Sequence, residues 1–269
     1  DLGEVFKDTT FVGFKDKVVE GFSINAGAQP RSFYDKLQAY LIEQGAEGLA
    51  WVRVLEDGTL KGPIVKFLTE KECEDLKSAT GAKIGDDIFV VADAVAKKCY
   101  KLAGLLRTEV GEKLNIIDKS RIEFCWIVDF PMFELSDEGK VEFCHNPFNM
   151  PKGGMEALTT MNPLDVVAYQ YDLVANGYEC ASGAVRNTDS ETMLKLFEIV
   201  GYGKEEIEKR FGALYTAFSY GAPPHAGGAV GFERFMMIML GITNIRDVVP
   251  FPMNGKAQDV LMGGPIEAD

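Results

Sequence analysis

The sequence predicts an α+β protein built in two parts, and three observations lead to this fold class. In the first part, segments with helical spacing of apolar residues alternate with short apolar runs of strand length. In the second part, strand-like runs follow one another, and an Asn-Gly pair indicates a tight hairpin between two of them. A glycine-rich loop, a short apolar run and an apolar helix come last. We therefore expect one domain over residues 1–117 and a second over residues 118–269.

Caps, turns and periodicity define the elements of the first domain. Ser32 is expected to cap a helix that stops at Gly45, and a strand over 50–55 leads into an Asp57-Gly58 turn. The pattern Thr69-x-x-Glu72 predicts a capping box, and residues 88–92 a buried strand before a long helix. The apolar positions on one face of the first and last helices are Phe33, Leu37, Tyr40, Leu41, Val95, Cys99, Leu102 and Leu106.

The second domain begins with strands and ends with helices. Residues 121–130 read as an apolar strand, residues 137–140 as a turn, and residues 141–144 as the returning strand. Ser182-Gly183 is expected to break a later strand, and Thr188-x-x-Glu191 to form a capping box for a helix that ends near Val200. Four apolar residues give one face of the next helix: Ile207, Phe211, Leu214 and Phe218.

The hairpin around Asn176-Gly177 places two carboxylates on one sheet face. A two-residue turn pairs Ala175 with Tyr178 and Val174 with Glu179, which makes Asp172 a diagonal neighbour of Glu179. Two carboxylates so placed repel unless a cation or a proton lies between them, and hard oxygen ligands suit Mg²⁺. The alternative is that both lie on a solvated face.

Two further side chains have more than one interpretation. Arg186 follows a short strand and can be the ion-pair partner of the two carboxylates, or a bidentate clamp for a substrate carboxylate. His145 comes at a strand end, where a histidine is either a structural residue or a ligand.

The stretch 221–252 predicts a loop, a buried strand and a buried helix, with Glu233-Arg234 where strand meets helix. A helix start and an arginine that can lie over an aromatic ring suit a nucleotide, although an internal Glu–Arg pair is the alternative.

The composition narrows the function classes. The formal net charge is −13, from 28 basic and 41 acidic residues, which argues against broad nonspecific nucleic-acid binding but leaves room for a local basic patch. No run of about 18 apolar residues occurs, so we expect a cytoplasmic protein without a membrane partner. Five scattered cysteines without a CxxC pair and only two histidines argue against a disulfide framework and a multi-histidine metal site.

Several stretches resemble bacterial-type aspartyl-tRNA synthetases of class II. The motifs WIVDFPMFE, HNPF, YDLVANGYE, SGAVRN, YGAPPH and GFER occur in the family's order, and GGAVGFER resembles its motif 3. In the first domain, RSFYDKL, GLAWVRV and KGPIVKFL resemble the family's GAD insertion domain. The resemblance thus implies a GAD-type insertion domain followed by the motif 3 half of an antiparallel catalytic sheet. For the first domain, which holds no nucleophile–base pair and no phosphate loop, it implies a spacer or tRNA-contacting role.

The resemblance also implies roles for the candidate residues. Asp172 and Glu179 correspond to the carboxylates that hold Mg²⁺ on ATP, and Arg186 to the arginine that grips the side-chain carboxylate of aspartate. His145 corresponds to a substrate-facing histidine. Arg186 and Arg234 are the implied catalytic residues, with Arg234 over the purine. The implied ATP contacts are Glu179, Gly231, Phe232, Glu233 and Arg234.

The implied activity is aspartate–tRNA ligation: ATP and aspartate give aspartyl-adenylate, and the aspartyl group passes to tRNA-Asp. Whether tRNA-Asn is also a substrate is left open. The 269 residues contain neither an anticodon β-barrel nor the family's motifs 1 and 2, and Cys-Ala-Ser at 180–182 replaces a glycine-rich run. We therefore expect a fragment that is inactive alone, within a full-length homodimer. The alternative is a noncatalytic module that binds tRNA or a protein.

Overall fold

The computed structural model describes residues 1–136 and 138–266. The chain divides into two compact units, Asp1–Asp118 and Lys119–Asp269, called unit 1 and unit 2 below. Both combine helices with antiparallel sheets, which confirms the predicted α+β class. No helix within the described residues has the length and apolar character needed to cross a membrane.

Unit 1 is a four-stranded antiparallel sheet between two groups of helices. Its elements are α1 (Gly3–Phe6), β1 (Val18–Ile24), α2 (Arg31–Glu43), β2 (Ala50–Val54), β3 (Leu60–Lys61), α3 (Glu70–Thr80), β4 (Asp87–Asp93) and α4 (Ala96–Lys113). The strand order is β1-β4-β2-β3. Along β4, Ile88 and Val90 join the core beneath α1 and α3, whereas Phe89 and Val91 join the core beneath α2 and α4. Successive side chains of β4 point to opposite faces of the sheet, so the strand contributes to both cores.

The predicted caps of unit 1 are partly right. The capping box between Thr69 and Glu72 is confirmed, since each side chain meets the other residue's backbone N–H. Ser32 does not cap α2, because the helix already begins at Arg31 with Pro30 in the N-cap position and no side-chain cap. Proline has a fixed φ and no N–H to satisfy, so a helix can begin beside it without a polar cap.

Unit 2 contains a four-stranded antiparallel sheet in the order β10-β9-β8-β5 and a separate β6-β7 pair. Its elements are β5 (Phe124–Val128), β6 (Phe133–Leu135), β7 (Val141–Phe143), α5 (Gly154–Thr160), β8 (Gln170–Ala175), β9 (Tyr178–Val185), α6 (Ser190–Ile199), α7 (Lys204–Ser219), β10 (Ala226–Val230) and α8 (Phe232–Leu240). The predicted returning strand is confirmed as β7, which pairs with β6. Asp137, in the predicted turn between them, lies outside the described residues.

The cores of unit 2 lie beside the large sheet. One cluster joins Met132 and Phe133 to Leu196 of α6, and another joins Met193 and Phe197 to Ile207 of α7. The prediction that the last strand and helix are buried is wrong: every residue of β10 is exposed, and α8 buries only Met237. The reason is position, because β10 is an edge strand and neither buried cluster in the described part of unit 2 includes its residues.

The first helix after β9 begins differently from its predicted capping box. Asp189, not Thr188, is the N-cap of α6, and its carboxylate accepts from the backbone N–H of Thr192 at 2.7 Å. The Thr192 hydroxyl donates to the same oxygen. A charged acceptor at the positive end of a helix is stronger than a neutral hydroxyl, which explains why the aspartate takes the position.

Candidate functional site: one face of the unit 2 sheet

A β-bulge in β9 decides which side chains share the site. The tight turn pairs Ala175 with Tyr178 and Val174 with Glu179, as predicted from Asn176-Gly177. Beyond these pairs the register shifts by one residue, so that Leu173 lies opposite Ala181 and Asp172 opposite Ser182. Cys180 is the extra residue, and its carbonyl accepts from the N–H of Gly231 at 2.7 Å.

The bulge changes the parity of β9. In a regular strand, residues 179 and 186 would point to opposite faces, because they are separated by an odd number of positions. With one residue inserted, Ser182 and Ala184 lie opposite Asp172 and Gln170. Arg186 follows two residues after Ala184 and so belongs to the face that carries Asp172. The predicted pairing of Val174 with Glu179 is confirmed, so Asp172, two residues before Val174, shares its face with Glu179. The bulge adds one residue to β9 between Glu179 and Ser182, which was not predicted, and it brings Arg186 to the same side of the sheet.

Ser182-Gly183 does not break the strand, contrary to the prediction. β9 runs through both residues to Val185. A Cβ at Gly183 would lie 2.4 Å from the Tyr171 ring and 2.6 Å from the carbonyl oxygen of Gly227. The glycine is needed because a ring and a backbone pass close on either side, not because the chain turns there.

The two acidic residues of the predicted metal site have different partners. Asp172 is 7% exposed, and the Ser182 hydroxyl donates to its Oδ1 at 2.6 Å. Glu179 is more open, with a side chain 48% exposed, and its Oε1 lies 3.4 Å from a guanidinium nitrogen of Arg234. Thus Arg234 rather than Arg186 is the ion-pair partner of an acidic residue here.

The acidic residues can be tested as a magnesium site from their chemistry. No group of three or more His, Cys, Asp or Glu side chains with metal-holding geometry occurs in residues 1–136 and 138–266. Mg²⁺ is often held by one or two carboxylates together with substrate phosphates, so two carboxylates on one face fit the ion. Asp172 retains a second oxygen beyond the one that Ser182 occupies. The metal role of Asp172 and Glu179 stays a prediction.

A cavity of about 400 Å³ opens on the same face around Arg186. Small residues on β9 and β10, including Ala184 and Gly227, leave the space above the sheet free, and the polar lining includes Asn149, Gln170, Ser182 and His225. The Arg186 side chain has no ion-pair or hydrogen-bond partner in the described part of the chain. An open cationic side chain beside a free volume can receive a carboxylate from a ligand.

A second cavity, of about 520 Å³, lies at the start of α8. Glu179, Arg234, Met237 and Asn244 contribute to its lining. Arg234 donates to the backbone oxygen of Glu179 at 2.6 Å, so its guanidinium is held against β9. Glu233 and Arg234 lie where the strand passes into the helix, as predicted.

The remaining predicted ATP contacts lie beside this cavity rather than in it. Gly231 is the N-cap of α8, and Phe232, which is 70% exposed, is its first residue. Gly231, Phe232 and Glu233 do not belong to the lining of the second cavity. Their assignment to ATP stays a prediction.

His145 lies outside the lining of the Arg186 cavity. It is exposed and meets the Phe130 ring edge to face, with centroids 5.1 Å apart. Its neighbour Asn146 and the distant His225 belong to the lining instead. The substrate-facing role of His145 stays a prediction, and the residue of the HNPF motif that lines the cavity is Asn146.

Four lining residues were missed at the level of sequence. Ser182 had a signal, since Cys-Ala-Ser replaces a glycine-rich run and adds a hydroxyl to a strand face. Asn149 and Gln170 gave no local pattern, because their placement depends on pairing between segments far apart in the chain, and His225 lies in the YGAPPH motif but had no role assigned to it. Asn149 forms a β-bridge with Arg186, and Gln170 pairs with Ala184.

Residues 16–255 match the family described as tRNA synthetases class II (D, K and N). The match covers most of the chain, and the chain belongs to this family. Its motif 3 resemblance and its antiparallel sheet with an arginine at the start of α8 agree with that membership.

Among similar proteins, the chain is 46% identical over 271 residues to the aspartate–tRNA ligase of Streptomyces coelicolor, covering 100% of this chain and 46% of the relative. It is 45% identical over 276 residues to the aspartate–tRNA(Asp/Asn) ligase of Rickettsia bellii, covering 98% of this chain and 46% of the relative. The chain thus spans about half the length of the relatives it matches.

Two solved structures are also similar. An aspartyl tRNA synthetase from Entamoeba histolytica gives a TM-score of 0.39 at 26% identity, covering 71% of this chain and 32% of that one. A putative aspartyl-tRNA synthetase from Leishmania major gives a TM-score of 0.38 at 22% identity, covering 58% and 25%.

Proposed function

We propose that this chain is part of an aspartate–tRNA ligase. The reaction joins aspartate to ATP as aspartyl-adenylate, releases pyrophosphate, and passes the aspartyl group to tRNA. The observation that carries the proposal is the Arg186 guanidinium, which has no partner among the described residues and borders the cavity of about 400 Å³ on the sheet face of Asp172. The names of relatives at 45–46% identity support aspartate as the amino acid.

Arg186 binds the side-chain carboxylate of aspartate in this proposal. The guanidinium offers paired N–H donors to two carboxylate oxygens, and the cavity wall lacks a protein carboxylate that would compete for them in the described residues. This contact positions the amino acid, so that its α-carboxylate can attack the α-phosphate of ATP. The reaction needs no protein nucleophile, because positioning and charge neutralisation provide the acceleration.

Glu179 and Arg234 form the ATP side of the proposed site. Arg234 is held by the backbone oxygen of Glu179 at 2.6 Å, which keeps a flat cation ready to stack on a purine ring. Gly231, Phe232 and Glu233 frame the start of the helix. Mg²⁺, when bound by Asp172 and Glu179, would neutralise phosphate charge. The accepting tRNA is tRNA-Asp, with tRNA-Asn as a second acceptor to be tested, and the full-length protein acts as a homodimer.

The test is aspartate-dependent exchange of pyrophosphate into ATP, measured on a full-length protein that carries this chain. We expect exchange with aspartate, and Arg186→Leu should lower kcat/KM for aspartate by about 10²-fold or more, as loss of a charge-assisted contact does. Lys195→Leu is the matched control, since Lys195 lies on α6, outside both cavities. Its activity should match that of the wild type.

Two results would contradict the proposal. One is exchange that responds to another amino acid and not to aspartate. The other is a protein that binds tRNA without any exchange, which would favour the noncatalytic module. The same assay on the 269-residue chain alone should show no exchange, because the sequence holds no motif 2 arginine for the α-phosphate.

A further inference from the structure

A buried pair of amide side chains forms part of the wall of the Arg186 cavity. Asn149 is 1% exposed and Gln170 is 9% exposed, and the Asn149 Nδ2 donates to the Gln170 Oε1 at 2.8 Å. Both residues line the same cavity as Arg186. The two amides lie 21 residues apart in the chain, and the fold brings them together in the wall of the cavity that Arg186 lines.

The hydrogen bonds of this pair are incomplete within the protein. The Oδ1 of Asn149 is buried without a partner, and the NH₂ of Gln170 has none in the described part of the chain. If both amides were turned over, the Asn149 oxygen would gain a donor but its NH₂ would lose its acceptor. In either orientation one buried polar group stays unsatisfied, which costs about 1–3 kcal/mol. Packing alone does not explain such a pair.

The strand register fixes how the amides stand relative to Arg186. Gln170 lies opposite Ala184, and Arg186 follows two residues later on the same face. Asn149 forms a β-bridge with Arg186 itself. Diagonal neighbours across antiparallel strands are roughly 7–8 Å apart, which leaves room for one ligand group between the two side chains. The small side chain of Ala184 and the absence of one at Gly227 keep that space open.

We propose that Asn149 locks the Gln170 amide with its oxygen inward and its NH₂ toward the cavity, so that Gln170 and Arg186 together select a carboxylate over a carboxamide. This inference rests on the proposed function and adds a specificity residue to it. Arg186 and the locked NH₂ are both donors only. A carboxylate accepts from both, whereas the NH₂ of a carboxamide would face a donor without an acceptor.

Asn149 acts as the positioning residue in this arrangement. A free glutamine can rotate its amide and accept a hydrogen bond from a carboxamide, which would weaken the selection. Rotation of Gln170 alone would leave two N–H groups facing each other, and rotation of both amides would leave the NH₂ of Asn149 buried without an acceptor, so the observed orientation is favoured against both. Asn149 therefore affects discrimination between ligands more than it affects binding of the preferred one.

The first measurement is pyrophosphate exchange by the full-length protein with aspartate and with asparagine. Gln170→Leu should lower the ratio of kcat/KM for aspartate to that for asparagine by about 10- to 100-fold, the range for one hydrogen bond to a charged group. Asn149→Ala should lower the same ratio while the KM for ATP stays constant. An unchanged ratio in Gln170→Leu would overturn the inference.

Asn187 provides a matched control. It is also 1% exposed and also leaves a buried polar atom, its Nδ2, without a partner in the described residues, but it does not line the Arg186 cavity. Asn187→Ala should change thermal stability to an extent similar to Asn149→Ala and leave the aspartate-to-asparagine ratio as in the wild type. An equal fall in the ratio for both variants would indicate a general structural effect and contradict the proposal.

A second measurement separates this inference from the proposed function. Calorimetric titration of the 269-residue chain with succinate and with succinamate, its monoamide, reads carboxylate selection without ATP or tRNA. We expect succinate to bind more tightly, and Gln170→Leu to remove most of the difference. If exchange is absent while this preference exists and depends on Gln170, the ligase proposal fails and the amide inference stands. No preference in the wild-type chain would overturn the inference.

Discussion

β4 in unit 1 and β5 in unit 2 are both short apolar strands, and their surroundings are opposite. Ile88, Phe89 and Val90 of β4 are fully buried, whereas every residue of β5 is exposed. β4 lies inside its sheet with helices packed on both faces, and β5 lies at the edge of its sheet. The burial of an apolar strand is therefore set by its place in the sheet and by what covers it, not by its composition.

Polar groups follow the same division. In unit 1, the carboxylate of Asp87 is fully buried and bonded by Arg53 and Tyr34, each at 2.6 Å. In unit 2, Gln170 of β8 and Glu179 and Ser182 of β9 line cavities, and several donors and acceptors lack protein partners in the described residues. Unit 1 thus pairs these polar groups with one another inside a core, whereas unit 2 places polar groups along cavities.

The largest expected difference concerns the two arginine–carboxylate pairs. Arg53→Met leaves the buried carboxylate of Asp87 without its charge partner and should lower the free energy of unfolding of unit 1 by about 3–5 kcal/mol. Arg234→Met breaks a pair whose side chains are 43% and 48% exposed, and should cost unit 2 less than about 1 kcal/mol. Urea unfolding can be followed by Trp51 in unit 1 and Trp126 in unit 2, each alone in a background where the other is phenylalanine. Equal losses in the two units would show that burial does not set the stability contribution of these ion pairs.

An apolar truncation in each strand gives the second difference. Ile88→Ala removes atoms from a side chain that is 0% exposed and should cost about 2–5 kcal/mol. Ile127→Ala acts on a side chain that is 44% exposed and should stay within about 0.5 kcal/mol. Hydrogen exchange of the β4 and β8 amides measures each effect locally. A large effect at Ile127 would show that β5 is covered in solution.

The smallest expected effect is a loss of unit 1 stability at alkaline pH through Tyr34. Burial, and then the hydrogen bond to Asp87, raise the pKa of Tyr34 above its ordinary value of 10.0. The native state therefore disfavours the tyrosinate, so the contribution of Tyr34 is fully present below pH 10 and is lost as the pH rises further. At pH 10.5, unit 1 should be about 0.8 kcal/mol less stable from this group alone. Tyr34→Phe should remove that part of the slope between pH 9 and 10.5; an identical slope would argue against it.

Some caps and turns could be predicted from patterns of a few adjacent residues. The capping box at Thr69 and the hairpin turn at Asn176-Gly177 each depend on a few adjacent residues, and the structure bears them out. The predicted caps at Ser32 and Thr188 are wrong, because each helix begins beside a different residue. The exposure of β10 could not be predicted in this way, because it depends on the place of the strand at the edge of its sheet.

The candidate site shows the same limit. The motifs indicated Arg186, Glu179 and Arg234, but the sequence did not reveal that Arg186 and Arg234 border separate cavities. The pair Asn149–Gln170 was invisible because neither residue forms a pattern with its neighbours. The motifs indicated the residues to which the resemblance assigns a role, whereas Asn149 and Gln170 reach the cavity only through strand pairing.

The extra residue at Cys180 has a consequence for comparing sequences. Glu179 and Arg186 stand on one sheet face only because their separation in the chain contains one residue more than the pairing does. A substitution at Ala181 leaves the number of residues between Glu179 and Arg186 unchanged. Deletion of one residue between these positions would turn the arginine to the opposite face of the sheet. When relatives are aligned over this strand, a gap between these positions therefore changes the face on which the arginine lies. The number of residues in the strand matters as much as their identity.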